Sequence, residues 1–164
     1  MLTRTLHLAD AAATEALGAR LADACADEPI LVLHLRGELG AGKTCVARGL
    51  IRALGHRGPV RSPTYTLMEP YDLGRLRVLH LDLYRLSDPE EMDYLGLRES
   101  MVAPVLVLVE WPEQAADSLP AADLHISLTY MAEGRRAELS ATSSAGERLL
   151  QRFDGSLSAP DFDS

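Results

Sequence analysis

One stretch constrains this chain more than any other. Positions 37–44 read GELGAGKT, between the apolar run Ile30–Arg36 (ILVLHLR) and a segment of helical periodicity at 43–54. The pattern G-x-x-x-x-G-K-[ST] is met in full, and a strand before it with a helix after it is the context in which such a loop cradles phosphate. Small residues at Gly40, Ala41 and Gly42 let the backbone bend around an anion. The N–H groups of the loop and of the following helix N-terminus then point inward at it. Lys43 supplies a mobile cation for β- and γ-phosphates, and the Thr44 hydroxyl is a magnesium ligand.

The remaining pattern surrounds that unit with alternating helices and strands. A strand is expected over 2–8, then a helix capped by Asp10 and running through Ala26, with Leu17, Leu21 and Ala24 on one face. Gly55 stops the helix at 43–54, and 56–63 is a loop. Strands at 65–71 and 75–84 read as a hairpin across Asp72-Leu-Gly74. Asp88 caps a short helix with Pro89 in its first position. A buried strand at 105–109 precedes a short helix or turn at 112–119. A second hairpin joins 124–130 to 135–141, and an amphipathic helix covers 144–153. The expected architecture is α/β: a P-loop NTPase-like three-layer fold with a mixed, largely parallel central sheet plus antiparallel hairpins. It forms one domain, 1–153, followed by a polar, flexible tail, 154–164.

Magnesium at a phosphate loop needs hard oxygen ligands, and P-loop enzymes take a carboxylate from the end of a neighbouring buried strand. Asp82, in HLDLYR, and Glu110, in LVLVEWPE, both follow apolar strand residues. Either can sit at the carboxyl-end crevice where open α/β sheets bind ligands. The more uniformly apolar strand belongs to Glu110, which makes it the preferred metal carboxylate and leaves Asp82 to orient an attacking water. The segment 60–66 (VRSPTYT) lies where nucleotide switches carry a loop ordered by the γ-phosphate. Thr64 and Thr66 offer hydroxyls there, and Arg61 a cation. His34 and His80 lie in strands without metal-ligand spacing and read as core or edge histidines.

Composition narrows the partners. A net charge of −8 and a pI near 5.0 argue against a broad basic surface for bare nucleic acid. Two cysteines, Cys25 and Cys45, make neither a disulfide framework nor a metal cluster. The longest nearly apolar run, 102–109, is far too short to span a bilayer. MLTRTLHLAD has no apolar core of signal-peptide length, so the expected compartment is the cytoplasm.

Taken together, GELGAGKT, SPTYTL, HLDLYR, VEWPE and GRRAELSATSSAGE resemble the TsaE family, over about residues 5–152. These are small P-loop ATPases of bacterial tRNA threonylcarbamoyladenosine synthesis. The resemblance implies ATP and Mg2+ as ligands and slow ATP hydrolysis, stimulated by a TsaB–TsaD heterodimer. TsaD transfers the threonylcarbamoyl group to an adenosine beside the anticodon, and ATP turnover resets the complex. The transfer itself is not the family's work, and tRNA is met only through the complex. Carried over residue by residue, Gly37, Glu38, Leu39, Gly40, Ala41, Gly42, Lys43 and Thr44 hold phosphates, with Cys45 next in line where the family more often has threonine. Thr44 and Glu110 hold magnesium, and Asp82 is a catalytic carboxylate acting with Lys43 and Glu110. Thr64 belongs to the switch-like loop, Trp111 borders the site, Arg135 is a nucleotide contact, and residues 8–10 approach the base. The competing readings are a small-molecule or nucleotide kinase, a GTPase and a nucleotide-gated binding module. The chain shows no arginine-rich lid and no N-K-x-D segment.

Overall fold

The computed structural model describes residues 2–25 and 27–157. Its elements run β1 (Thr3–Leu8), α1 (Ala11–Ala24), β2 (Ile30–Arg36), α2 (Lys43–Ala53), β3 (Met68–Asp72), β4 (Arg77–Asp82), α3 (Met92–Leu95), α4 (Leu97–Ser100), β5 (Val105–Glu110), β6 (Leu124–Tyr130), β7 (Arg135–Ala141) and α5 (Ser144–Leu157). The seven strands form one sheet in the order β1-β7-β6-β2-β5-β4-β3. Its centre is parallel: β2 pairs with β5 and with β6, and β5 pairs with β4. The outer pairs β1–β7, β6–β7 and β3–β4 are antiparallel. This is the mixed, largely parallel sheet that the alternation of apolar runs and helices implies.

Period-two alternation sends each central strand into two cores. Leu31, Leu33 and Leu35 of β2, with Leu106 and Leu108 of β5, face Leu17 and Leu21 of α1, Val46 and Leu50 of α2, and Leu149 and Phe153 of α5. Val32, Leu79, Leu81, Val105, Val107 and Val109 face the opposite layer, built from Leu86, Met92, Leu97, Ala115 and Leu119. The parity has a consequence for function. His80 and Asp82 alternate with Leu79 and Leu81, and Glu110 alternates with Val109. All three therefore emerge on the face covered by α2, the helix that leaves the phosphate loop.

α1 and α2 approach closely because glycines lie between them. A Cβ on Gly18 would come within 2.1 Å of Val46 O, and one on Gly49 within 2.0 Å of Glu15 O. Asp10 caps α1 as expected, its Oδ1 accepting the Ala13 N–H at 2.8 Å. α1 ends at Ala24 with Cys25 as cap, and the expected continuation to Ala26 lies outside the described residues. Asp88 and Glu91 form a capping box around the 3-10 turn Pro89–Glu91.

Two strands are shorter than the sequence pattern implies. The strand expected from residue 65 begins only at Met68, because 63–67 closes into a turn, with Leu67 N–H on Pro63 O and Leu67 itself at φ 64°. Its partner covers Arg77–Asp82 rather than 75–84. The last helix runs past its expected end at 153 to Leu157, and Asp154 on it pairs with Arg4 of β1 at 2.6 Å. Residues 158–164 of the expected tail lie outside the described residues. No described helix is long and apolar enough to cross a membrane.

His34, on β2, is buried beside the His125 ring of β6, with ring centroids 5.3 Å apart. Burial, then the neighbouring His125 and Arg36, push its pKa from 6.5 down to about 4. Between those values the unfolded chain binds a proton that the folded chain refuses, so stability is full above pH 6.5 and is lost as pH falls towards 4. Lowering the pH from 7 to 5 is expected to remove about 2 kcal/mol through this group. Urea unfolding of wild type and His34→Leu at both pH values checks it: the pH-dependent loss shrinks in the variant.

Candidate active site

The carboxyl ends of β2, β4 and β5 converge on one side of the sheet, since β5 pairs in register with both neighbours and Asp82 lies opposite Glu110. The phosphate loop bridges β2 to α2 there. Gly42 sits at φ 114°, a conformation that glycine adopts without strain, and turns the chain into α2. The Tyr130 hydroxyl, from the end of β6, donates to Leu39 O at 2.7 Å and fastens the loop's crown. Lys43 is 4% exposed and folds back onto its own loop, donating to Gly37 O at 2.6 Å and Glu38 O at 2.9 Å. Its ammonium lies 4.0 Å from the centre of the Trp111 ring. Burial lowers the Lys43 pKa, against the opposing pull of Glu110, Asp82 and Glu113.

Thr44 Oγ1 donates to Glu110 Oε1 at 2.8 Å. The other oxygen, Oε2, lies 2.6 Å from Nε2 of His80, and both His80 and Glu110 are buried. Asp82 faces the same cleft. Its Oδ2 accepts from the Ser62 hydroxyl, and its Oδ1 from the Tyr84 N–H at 3.0 Å. Trp111 carries positive φ (59°), uncommon for a bulky residue, and its indole packs on Tyr84 with ring centroids 4.9 Å apart.

These groups wall a cleft of about 500 Å³. Leu39, Gly40, Gly42, Lys43, Thr44 and Cys45 line one side of it, and Thr64, Asp82, Glu110 and Trp111 the other. Gly37 and Glu38 stand at the loop's root, and Ala41 is buried behind it. Arg135 is not in this cleft. It stacks on the Tyr130 ring at 4.1 Å and lines an adjoining cavity of about 480 Å³, with Ala9, Asp10, Gly40, Ala41 and Arg48. The two cavities share Gly40, Gly42 and Cys45, so they meet at the loop. Two residues that the sequence reading passed over belong to the site. His80 is buried, as a core histidine is, and its strand parity with Asp82 also brings it to Glu110. Ser62 was not singled out within its loop, and it holds Asp82.

The donor set suits magnesium. A hydroxyl and a carboxylate are hard oxygens, few in number, as expected of an ion that keeps waters and phosphate oxygens for its other positions. The cleft also places Asp82 and Glu110 where a polyphosphate would lie against the loop N–H groups. Negative charge on both sides of that space calls for a cation between them.

Lys43 resting on Trp111 gives an optical reading of the site. Phosphate binding is expected to draw the ammonium off the ring, so the fluorescence of the chain's one tryptophan changes on adding ATP with Mg2+. A flat signal while calorimetry records binding would contradict this placement.

Comparison with known proteins gives concordant matches. The family model described as "Threonylcarbamoyl adenosine biosynthesis protein TsaE" matches residues 8–138. The tRNA threonylcarbamoyladenosine biosynthesis protein TsaE of Haemophilus influenzae is 40% identical over 126 residues, covering 77% of this chain and 80% of that one. The protein of the same description from Bacillus subtilis is 37% identical over 118 residues, covering 66% and 73%. The crystal structure of Bacillus subtilis YdiB superposes with a TM-score of 0.75 at 27% identity, covering 94% of this chain and 96% of that one.

Proposed function

This chain belongs to the TsaE family of tRNA threonylcarbamoyladenosine biosynthesis, and we propose that it serves there as a Mg2+-dependent ATPase working with a TsaB–TsaD heterodimer. The observation that carries this reading is the Thr44–Glu110 hydrogen bond at the mouth of a complete phosphate loop. Thr44 donates its proton to the carboxylate and so keeps its lone pairs for a cation.

In the proposed reaction water attacks the γ-phosphorus of ATP, releasing ADP and inorganic phosphate. The loop N–H groups and the α2 N-terminus hold the phosphates. Lys43 exchanges the carbonyls of Gly37 and Glu38 for phosphate oxygens, where negative charge is redistributed in the transition state. Asp82, steadied by Ser62 and Tyr84 N–H, orients the attacking water. Thr44 and Glu110 are the residues that would hold Mg2+. When bound, the ion would supply positive charge against the phosphates. The adjoining cavity beside Ala9, Asp10 and Arg135 is the proposed place for ribose and base. Closure of the 60–66 segment against the nucleotide would couple the site to the partner proteins. The acidic chain meets tRNA only through that complex, in which ATP turnover permits repeated cycles.

Isothermal titration with ATP and GTP, with and without Mg2+, tests the reading. ATP is expected to bind more tightly with Mg2+, and Thr44→Val to lose that gain. Equal ATP binding with and without Mg2+, or phosphate transfer to a small acceptor in place of water, would contradict it.

A further inference from the structure

We infer that His80 is a positioning residue for Glu110. The imidazole is fully buried, with Nε2 2.6 Å from Glu110 Oε2. Its Nδ1 is buried and has no hydrogen-bond partner among the described residues. A proton on Nδ1 would be a buried donor with nothing to receive it, whereas a proton on Nε2 has a carboxylate oxygen in reach. The hydrogen bonds therefore run in one direction. His80 Nε2–H donates to Oε2, and Thr44 Oγ1–H donates to Oε1. Glu110 accepts at both oxygens and is fixed between strand and loop. Its register partner across β4 and β5 is Asp82, two residues beyond His80 on the same face. Without His80 the carboxylate can turn, and the Thr44 hydroxyl loses the acceptor that aims its proton away from the cleft. Groups one step removed from a metal site set the orientation of its ligands in this way.

The inference rests on the nucleotide–Mg2+ reading of the cleft, and the experiment separates the two. Mg2+ is titrated into ADP-loaded protein and followed through Trp111 fluorescence and through thermal unfolding. For His80→Leu the Mg2+ concentration at half-saturation is expected to rise roughly 10- to 100-fold. Mg2+-free ADP binding is expected to stay as in wild type. His80→Gln, which keeps an N–H donor, should recover most of the loss. A purely structural role would weaken both kinds of binding together and would show no such rescue. Unchanged Mg2+ dependence in His80→Leu overturns the inference. Absence of any Mg2+ response in wild type overturns the nucleotide–Mg2+ reading instead. If His80→Leu does not fold, the imidazole 15N signals of the wild-type nucleotide-free protein decide. A proton on Nε2, with a resonance displaced by Glu110→Gln, supports the inference; a proton on Nδ1 overturns it.

Discussion

Lys43→Ala is expected to lower ATP turnover by roughly 100- to 1000-fold while the chain stays folded. The side chain has two jobs in the structure, and only one matters to the fold. In the structure it is buried against Gly37 O, Glu38 O and the Trp111 face. Burial there disfavours its charged form, despite three nearby carboxylates. The fold thus holds a largely desolvated cation at the root of the phosphate loop, a pattern expected where charge is stored for chemistry. The variant should melt close to wild type in the absence of nucleotide and show almost no phosphate release. Steady-state hydrolysis and thermal unfolding on the same preparation check both halves. Turnover near wild type would place the phosphates away from this loop.

The second large effect is at Glu110. Glu110→Gln is expected to reduce turnover roughly 10- to 100-fold at fixed Mg2+, with excess Mg2+ restoring part of it. The amide keeps the size and shape that β5 and α2 enclose, so unfolding is not the expected cause of the loss. It removes the charge that a cation needs, and only one of its two polar atoms can accept. His80 and Thr44 cannot both remain donors to it. Asp82→Asn is expected to behave differently. Its carboxylate lies in the cleft with Ser62 and Tyr84 N–H as partners, so the loss should fall on turnover and leave Mg2+-dependent nucleotide binding in place. A Mg2+ titration of the two variants side by side distinguishes them.

Much of this was legible in the sequence for one reason: local pattern and tertiary consequence coincide. The runs ILVL (30–33) and LVLV (106–109) are apolar because their strands are covered on both faces, and that same feature makes them neighbours in the parallel centre of the sheet. Once the two strands are adjacent, Glu110 falls beside Thr44. What was not legible depends on contacts between distant segments. His80 and Glu110 are 30 residues apart and meet only through the β4–β5 register. Reading along the chain, His80 is a polar residue in an apolar strand. The signal that could have found it is its shared parity with Asp82. The start of β3 was misplaced because Leu67 adopts positive φ, which a leucine does not announce. Ser62, in the loop just before that turn, reaches Asp82 across a distance in sequence that no local pattern spans. Arg135 was carried over as a nucleotide contact, and it lines the cavity next to the phosphate cleft, on Tyr130.

The assignment of His80 changes how the two carboxylates divide the work. Both carboxylates accept at both oxygens, but the donors to Glu110 stand on β4 and α2, whereas those to Asp82 stand in the loops at Ser62 and Tyr84. Asp82 is the carboxylate proposed to orient the attacking water, and its partner Ser62 lies in the segment proposed to respond to nucleotide and partner. A partner that shifts this segment would alter how Asp82 is held, which gives a physical route from protein binding to ATP turnover.

The most direct test of the account is the rate of ATP hydrolysis by the chain alone, by TsaB–TsaD alone and by the mixture. Turnover is expected to be slow for the chain alone and, for the mixture, well above the sum of the two, the gain being lost again with Lys43→Ala. A mixture that co-elutes as a complex yet hydrolyses ATP no faster than that sum would contradict it.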